Sequence, residues 1–233
     1  MPHAGHGPVL KIDFRDFFPS IRSQDWVSYC HETNCIVDDE DIKLTASLLF
    51  QREKNSRLMR LAIGAPSSPM ISNIIMYEFD NRISAILKSD KVVYTRYADD
   101  LTFSAPRAGH LSGVIKAVST TIRSLKYPKL DINQNKTRFI TPKYRRTVTG
   151  LTITNDARIT IGREKKRELH AAVHHTSLGK LNSTEMEKLS GFLAFVKSVE
   201  PDFLVTLTKK YGLDVIRAIQ HSVTINYLYF GQN

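Results

Sequence analysis

The stretch Val92-Val93-Tyr94-Thr95-Arg96-Tyr97-Ala98-Asp99-Asp100-Leu101-Thr102-Phe103-Ser104 decides the fold. β-Branched and aromatic residues crowd both sides of Tyr97-Ala98-Asp99-Asp100, which predicts a β-hairpin carrying two adjacent carboxylates at its tight connection. Adjacent anions repel unless a cation neutralises them, and hard divalent ions take oxygen ligands of this kind. Asp also suits turns for local reasons, so this stretch alone leaves a plain turn and a metal site open. A third carboxylate and a basic chain weigh toward the metal. In Val9-Leu10-Lys11-Ile12-Asp13-Phe14, strand alternation sets Leu10, Ile12 and Phe14 on one face and Val9, Lys11 and Asp13 on the other. Beside the hairpin, Asp13 can share two metal ions roughly 3.5–4 Å apart with Asp99 or Asp100, the arrangement of phosphoryl transfer. At a free strand end it would make only a surface ion pair.

The 233 residues, 42% hydrophobic and 9% aromatic, suffice for one sizeable core or two modest domains. Lys and Arg number 33 against 23 Asp and Glu, and the net +10 points to a polyanionic partner, nucleic acid before a membrane. The charge is local, since residues 136–180 hold 11 Lys and Arg against 3 acidic residues, +8 of the total. No apolar run approaches ~18 residues and no signal peptide precedes the first strand, so a cytoplasmic protein with no membrane partner is expected. Cys30 and Cys35 are too few for a disulfide framework or a structural zinc site.

Along the chain, residues 22–32 and 38–51 read as helices, the second opened by an acidic run that suits a helix N-terminus. Arg52, Lys54, Arg57 and Arg60 form a basic loop before the small residues Gly64-Ala65-Pro66-Ser67-Ser68-Pro69, which let backbone approach a ligand. Pro69, capped by Ser68, opens a helix with the apolar stripe Ile71, Ile74, Ile75, Phe79 and Ile83. Leu111, Val114, Ile115, Val118, Ile122 and Leu125 mark another helix, which leads through residues 130–132 to a strand at 138–140. Residues 147–153 and 159–161 read as a hairpin. Arg163, Lys165, Lys166 and Arg167 open a helix whose Leu169, Ala172 and Val173 face the core, leaving the bases free for phosphates. His170 and His174 share a helix face without the carboxylate of a zinc-protease pattern, and are read as polar contacts. Asn182 with Glu185 forms a capping box, Asp202 caps a helix over 203–211, and Gly212 ends it. Helices against a small, mostly antiparallel sheet make the class α+β.

Asp13 with Phe17-Phe18-Pro19-Ser20, then Gly64-Ala65-Pro66-Ser67-Ser68-Pro69 with Ser72-Asn73, then Tyr97-Ala98-Asp99-Asp100, resembles in order and spacing the palm motifs of reverse transcriptases. Val148-Thr149-Gly150 resembles the late motif of bacterial retron reverse transcriptases, and His3 resembles the last residue of an upstream retron motif. The match runs from about His3 to the early 170s. Group II intron and abortive-infection reverse transcriptases are the alternatives within the family.

The resemblance implies a palm with partial fingers over residues 1–161 and a helical thumb over 162–233. It implies an RNA-directed DNA polymerase that extends a primer 3′ hydroxyl with deoxynucleoside triphosphates and two Mg2+ ions, or Mn2+. Asp13, Asp99 and Asp100 would hold the metals. Lys136 would protonate departing pyrophosphate, although the residues alone favour a surface lysine. Phe18 would exclude the 2′ hydroxyl, and Gly64, Ala65 and Pro66 would lie under the template–nucleotide pair. The hairpin holding Val148, Thr149 and Gly150 would grip the primer end, with Arg163, Lys165, Lys166 and Arg167 on phosphates of the RNA–DNA duplex. The implied partners are a structured noncoding RNA serving as template and primer and an effector protein, with an msDNA-like product and a role in antiviral defence. Ile63 stands where the family usually has Gln, which favours a rival reading as a nucleic-acid-binding remnant that no longer polymerises. Because the strand of Asp13 starts almost at once, the fingers region is expected to be missing and the chain alone weakly active or inactive.

Overall fold

The computed structural model describes residues 2–5, 7–53 and 56–229, so Lys54 of the basic loop lies outside the described residues. The chain divides into two compact units, Pro2–Tyr144 and Arg145–Asn233. The boundary drawn from sequence, at 161/162, falls inside the second.

In the first unit, β1 (Val9–Asp13) leads through the short α1 (Phe17–Ser20) into α2 (Ser23–Thr33) and α3 (Asp39–Leu49). Asp38 accepts the backbone N–H groups of Glu40 and Asp41 and so caps α3, as the acidic run foretold. The basic loop is in fact mostly a hairpin of β2 (Phe50–Arg52) and β3 (Met59–Leu61), whose three-residue strands are too short to show a period. Arg60 is spoken for there, bonding Glu53 at 3.1 Å and the Pro19 carbonyl at 2.7 Å. The apolar stripe that followed is carried by two helices, α4 (Ser68–Ile75) and α5 (Tyr77–Leu87), joined at Met76. Ser68 does not cap α4. It lies within the helix and donates to the Ala62 carbonyl at 2.7 Å, while Ser67 occupies the cap position.

Then come β4 (Val93–Tyr97), β5 (Asp100–Ser104), α6 (Val114–Ser124) and β6 (Arg138–Ile140). The sheet order is β4-β5-β1-β6, every pair antiparallel. As a central strand, β1 buries Leu10 and Ile12 on one face and even Val9 on the other. Phe14, Ile71, Ile75, Phe79, Ile83, Phe103 and Val118 complete one apolar core around it.

The second unit opens with β7 (Arg146–Val148), β8 (Leu151–Ile153) and β9 (Ile159–Thr160), a three-stranded antiparallel sheet. Sequence read 147–153 as one strand, but Thr149 (φ 45°) and Gly150 (φ 82°) both take positive φ and turn the chain back, pairing Val148 with Leu151. Two such residues between paired strands make the tight connection whose twist matches a hairpin. Four helices follow: α7 (Arg163–Ser177), α8 (Ser183–Val199), α9 (Pro201–Tyr211) and α10 (Leu213–Tyr229). The Asn182–Glu185 capping box forms. Asp202 does not cap α9, whose cap position is Glu200, but Gly212 ends it at φ 91°. Leu169, Val173, Leu193, Val196, Leu207 and Ile219 form this unit's own core. Among the described residues no helix is long and apolar enough to cross a membrane.

Candidate active site

The hairpin expected around Ala98-Asp99 is β4–β5, with Tyr97 paired to Asp100 and a two-residue connection between them. Ala98 takes the left-handed conformation, φ 51°. The turn is tied to β1 by the Phe14 N–H, which donates to the Asp99 carbonyl at 3.1 Å. In the β1–β5 register Asp13 lies directly opposite Asp100. Like charges at opposite positions of an antiparallel pair are about 5 Å apart at Cβ and destabilise the sheet. Three carboxylates therefore meet at the end of the sheet where strand pairing alone would disfavour them.

Two lysines temper this charge. Lys11, on the same face of β1, donates to Asp100 Oδ2 at 2.7 Å. Lys136 lies 3.2 Å from Asp13 Oδ1, but its hydrogen bond goes to Oδ2 at 3.3 Å, so the buried Oδ1 accepts none. The hydrogen bond to Asp13 raises the Lys136 pKa above its ordinary value, and the side chain is 62% exposed. Burial pushes the Asp99 carboxyl above its usual range; the Asp13 and Asp100 charges add to this, and its own backbone N–H and Lys136 oppose it.

As the side chains lie, no group of three or more His, Cys, Asp or Glu among the described residues is arranged to hold a metal ion. Asp100 turns to Lys11 and Asp13 to Lys136. The donor set nonetheless fits a hard divalent cation: oxygen donors only, one of them buried and lacking a hydrogen bond, beside a carboxyl whose ionisation its neighbours resist.

The other residues singled out from sequence divide by unit. Phe18 is half-buried, its ring 5.3 Å from that of Phe17. Gly64 (φ 86°) and Pro66 are exposed and Ala65 half-buried, next to an Ile63 that is 78% exposed. His3 is fully buried, its ring nitrogens bonded to the hydroxyls of Ser104 at 2.7 Å and Thr95 at 2.8 Å. In the second unit Val148 is buried and Thr149 and Gly150 are exposed; Arg163 and Arg167 are exposed and Lys165 half-buried. Lys166 is not free. It bonds Glu200 at 2.5 Å and lies 4.8 Å from the centre of the Phe203 ring. Glu200 also accepts from the Thr160 hydroxyl and the Ile161 N–H.

Sequence reasoning missed Lys11, Arg96 and Asp80. The signal for Lys11 and Arg96 was a cation inside an otherwise apolar strand pattern; for Asp80, on α5, there was none.

Comparison with known proteins agrees with this geometry. The reverse transcriptase (RNA-dependent DNA polymerase) family profile matches residues 1–171. The Retron Ec83 reverse transcriptase of Escherichia coli is 36% identical over 215 residues, 91% of this chain and 69% of that protein. The Retron Ec86 reverse transcriptase of Escherichia coli is 35% identical over 225 residues, 91% of this chain and 64% of that protein. This chain thus spans about two thirds of the length of these relatives. In fold it is similar to telomerase from Candida albicans, solved with a TWJ fragment of telomeric RNA, with a TM-score of 0.51 at 13% identity over 92% of this chain and 40% of that one. With a family profile over most of its length and a retron relative above 30% identity, the chain belongs to the reverse transcriptase (RNA-dependent DNA polymerase) family, among the retron reverse transcriptases.

Proposed function

We propose that the chain carries the polymerising centre of a retron-type reverse transcriptase, which extends a primer 3′ hydroxyl on an RNA template with deoxynucleoside triphosphates. The observation that carries this is Asp13 set opposite Asp100 with Asp99 beside them at the turn. These three carboxylates would hold two Mg2+ or Mn2+ ions, which when bound activate the attacking oxygen and stabilise the leaving one. Lys136, exposed and ion-paired to Asp13, stands ready to give a proton to departing pyrophosphate. A lysine is protonated at neutral pH, so the proton is available there. Phe18 packs on Phe17 as a wall against a ribose 2′ hydroxyl, and the open backbone at Gly64, Ala65 and Pro66 would approach the base pair. Residues Pro2–Tyr144 would serve as palm with partial fingers, and the helices from Arg163 as thumb. Arg163, Lys165 and Arg167 would meet duplex phosphates, with the Val148-Thr149-Gly150 hairpin at the primer.

Membership among the retron reverse transcriptases is the ground for this reading, and on it the template and primer would be a structured noncoding RNA, the product msDNA-like, and the setting antiviral defence with an effector protein. The test is primer extension by the chain carried within a polypeptide of the full length of its retron relatives, and by the Asp99→Asn variant of that polypeptide. Mg2+-dependent synthesis lost in the variant supports the reading; synthesis that survives in it overturns the metal assignment. A second reading, a nucleic-acid-binding remnant, is favoured by the exposed Ile63. RNA binding without any metal-dependent extension would select it.

A further inference from the structure

We propose that Arg96 is a positioning residue that, through Asp80 and Asn73, sets the conformation of the Ala98-Asp99 turn. Its importance for synthesis rests on the polymerase reading above; its effect on the turn does not. Arg96 sits on β4 one residue before Tyr97, and its side chain is only 4% exposed. Nε donates to Asp80 Oδ1 at 2.9 Å and Nη2 to Oδ2 at 2.6 Å, a bidentate grip on α5. Nη1 donates to Asn73 Oδ1 on α4 at 3.2 Å and to the Ala98 carbonyl at 3.1 Å. Tyr94, two residues back and so on the same strand face, donates to Asp80 Oδ1 at 2.6 Å. Burial works against the Arg96 charge, but the Asp80 carboxylate holds its pKa above the ordinary value. Burial, then the Asp80 charge, raises the Tyr94 pKa, so its hydroxyl stays a donor.

A buried ion pair that served only the core would be replaceable by apolar groups of similar volume. Arg96 does something more. Its remaining nitrogen reaches the backbone of the one residue of the turn with positive φ, a conformation rarely adopted by residues other than glycine. The carbonyl it holds belongs to the peptide that leads into Asp99. On the other side the Phe14 N–H holds the Asp99 carbonyl. The turn is therefore gripped from α4 and α5 through Arg96 and from the end of β1 through Phe14. A lysine cannot replace this, because one ammonium lacks the planar fork that grips a carboxylate and a carbonyl together.

The test uses the whole chain with two changes. Arg96→Lys keeps the charge; the triple variant Arg96→Met, Asp80→Leu, Tyr94→Phe replaces the network with apolar groups and so preserves folding if the single variant does not. Amide exchange by NMR reads the Phe14 N–H, bonded to the turn, against the Arg15 N–H, bonded to Asp131, and the Asn133 N–H, bonded to Asp13. Phe14 is expected to exchange at least about tenfold faster with the two controls unchanged. Extension should lose about 10- to 100-fold in kcat with the nucleotide KM little changed, as for a displaced reacting group. Unchanged exchange at Phe14, or equal acceleration at all three amides, would overturn the proposal and leave Arg96 a core ion pair. Failure of the polymerase reading shows elsewhere, as extension that survives in Asp99→Asn, which leaves the Arg96 network intact.

Discussion

Asp99 pays for its position. It is partly buried among two other carboxylates, and its raised pKa means that the fold resists its charge. Asp99→Asn is therefore expected to abolish extension and yet, in divalent-free buffer at neutral pH, to raise the Tm rather than lower it. Mg2+ should raise the Tm of the parent chain and not of the variant, because only a cation that binds the folded site stabilises it. A Tm response to Mg2+ equal in both would remove Asp99 from the site. Phe18 makes a second prediction. If the half-buried Phe18 ring faces the incoming sugar as proposed, it would offer the 2′ hydroxyl neither space nor a partner and would discriminate by sterics and desolvation. Phe18→Ala is expected to increase ribonucleotide over deoxyribonucleotide incorporation several-fold in single-nucleotide assays; unchanged sugar selectivity would return the ring to the core. At this scale Asp13, Asp99 and Asp100 were legible because adjacent and alternating positions encode strand and turn geometry directly. Arg96 was not, since Asp80 and Asn73 lie 16 and 23 residues away and nothing local announces them.

The helix α7 shows how an element assigns different work to similar side chains. Periodicity predicts that its N-terminal bases are all free for phosphates, but Lys166 turns toward Glu200 and Phe203 while Arg163 and Arg167 face solvent. Periodicity told which face was apolar; it could not reveal a partner 34 residues on in another helix's cap. Neutralising Arg163, Lys165 and Arg167 is expected to lower RNA affinity across sequences and flatten its salt dependence by about one unit per lost phosphate contact. Lys166→Met should instead destabilise by a few kcal/mol, because Glu200 would be left without its cation. A Lys166→Met variant of normal Tm but reduced RNA affinity would reverse these roles.

His170, on the same helix, packs edge-on against Phe203, with Nδ1 buried and unbonded, and burial, then Lys210, lowers its pKa from the ordinary 6.5. The unfolded chain takes up this proton first, so stability from this group is intact above pH 6.5 and falls as pH drops through that value toward the folded pKa. His170→Phe should flatten the decline in Tm between about pH 7 and 5; an unaltered pH profile would show that His170 binds its proton equally well in the folded and unfolded chain. Short elements hid more than long ones. The three-residue strands β2 and β3 and the Thr149-Gly150 turn carry too few residues for a period to emerge, whereas α6 and α8 were plain.

Across the whole molecule, two cores divide the labour that composition could only average. The carboxylate cluster and Arg96 belong to Pro2–Tyr144, while most of the basic stretch over residues 136–180 belongs to Arg145–Asn233. The net +10 suggested a nucleic-acid partner without saying that the acidic site and the main cationic surface rest on different cores. Asp99 and the bases Arg163, Lys165 and Arg167 belong to different cores, and substitutions that act independently combine additively to within a few tenths of a kcal/mol. Combining Asp99→Asn with neutralisation of Arg163, Lys165 and Arg167 is therefore expected to give a protein whose Mn2+ affinity equals that of the first change alone. Its RNA affinity, at one fixed salt concentration, should equal that of the second alone. Mn2+ binding by spin resonance and RNA binding by fluorescence anisotropy read the two quantities separately. If neutralising the bases also weakened Mn2+ binding tenfold or more in the absence of RNA, the two sites would share a coupling energy of about 1.4 kcal/mol, and the assignment of metal and phosphate binding to separate cores would be wrong.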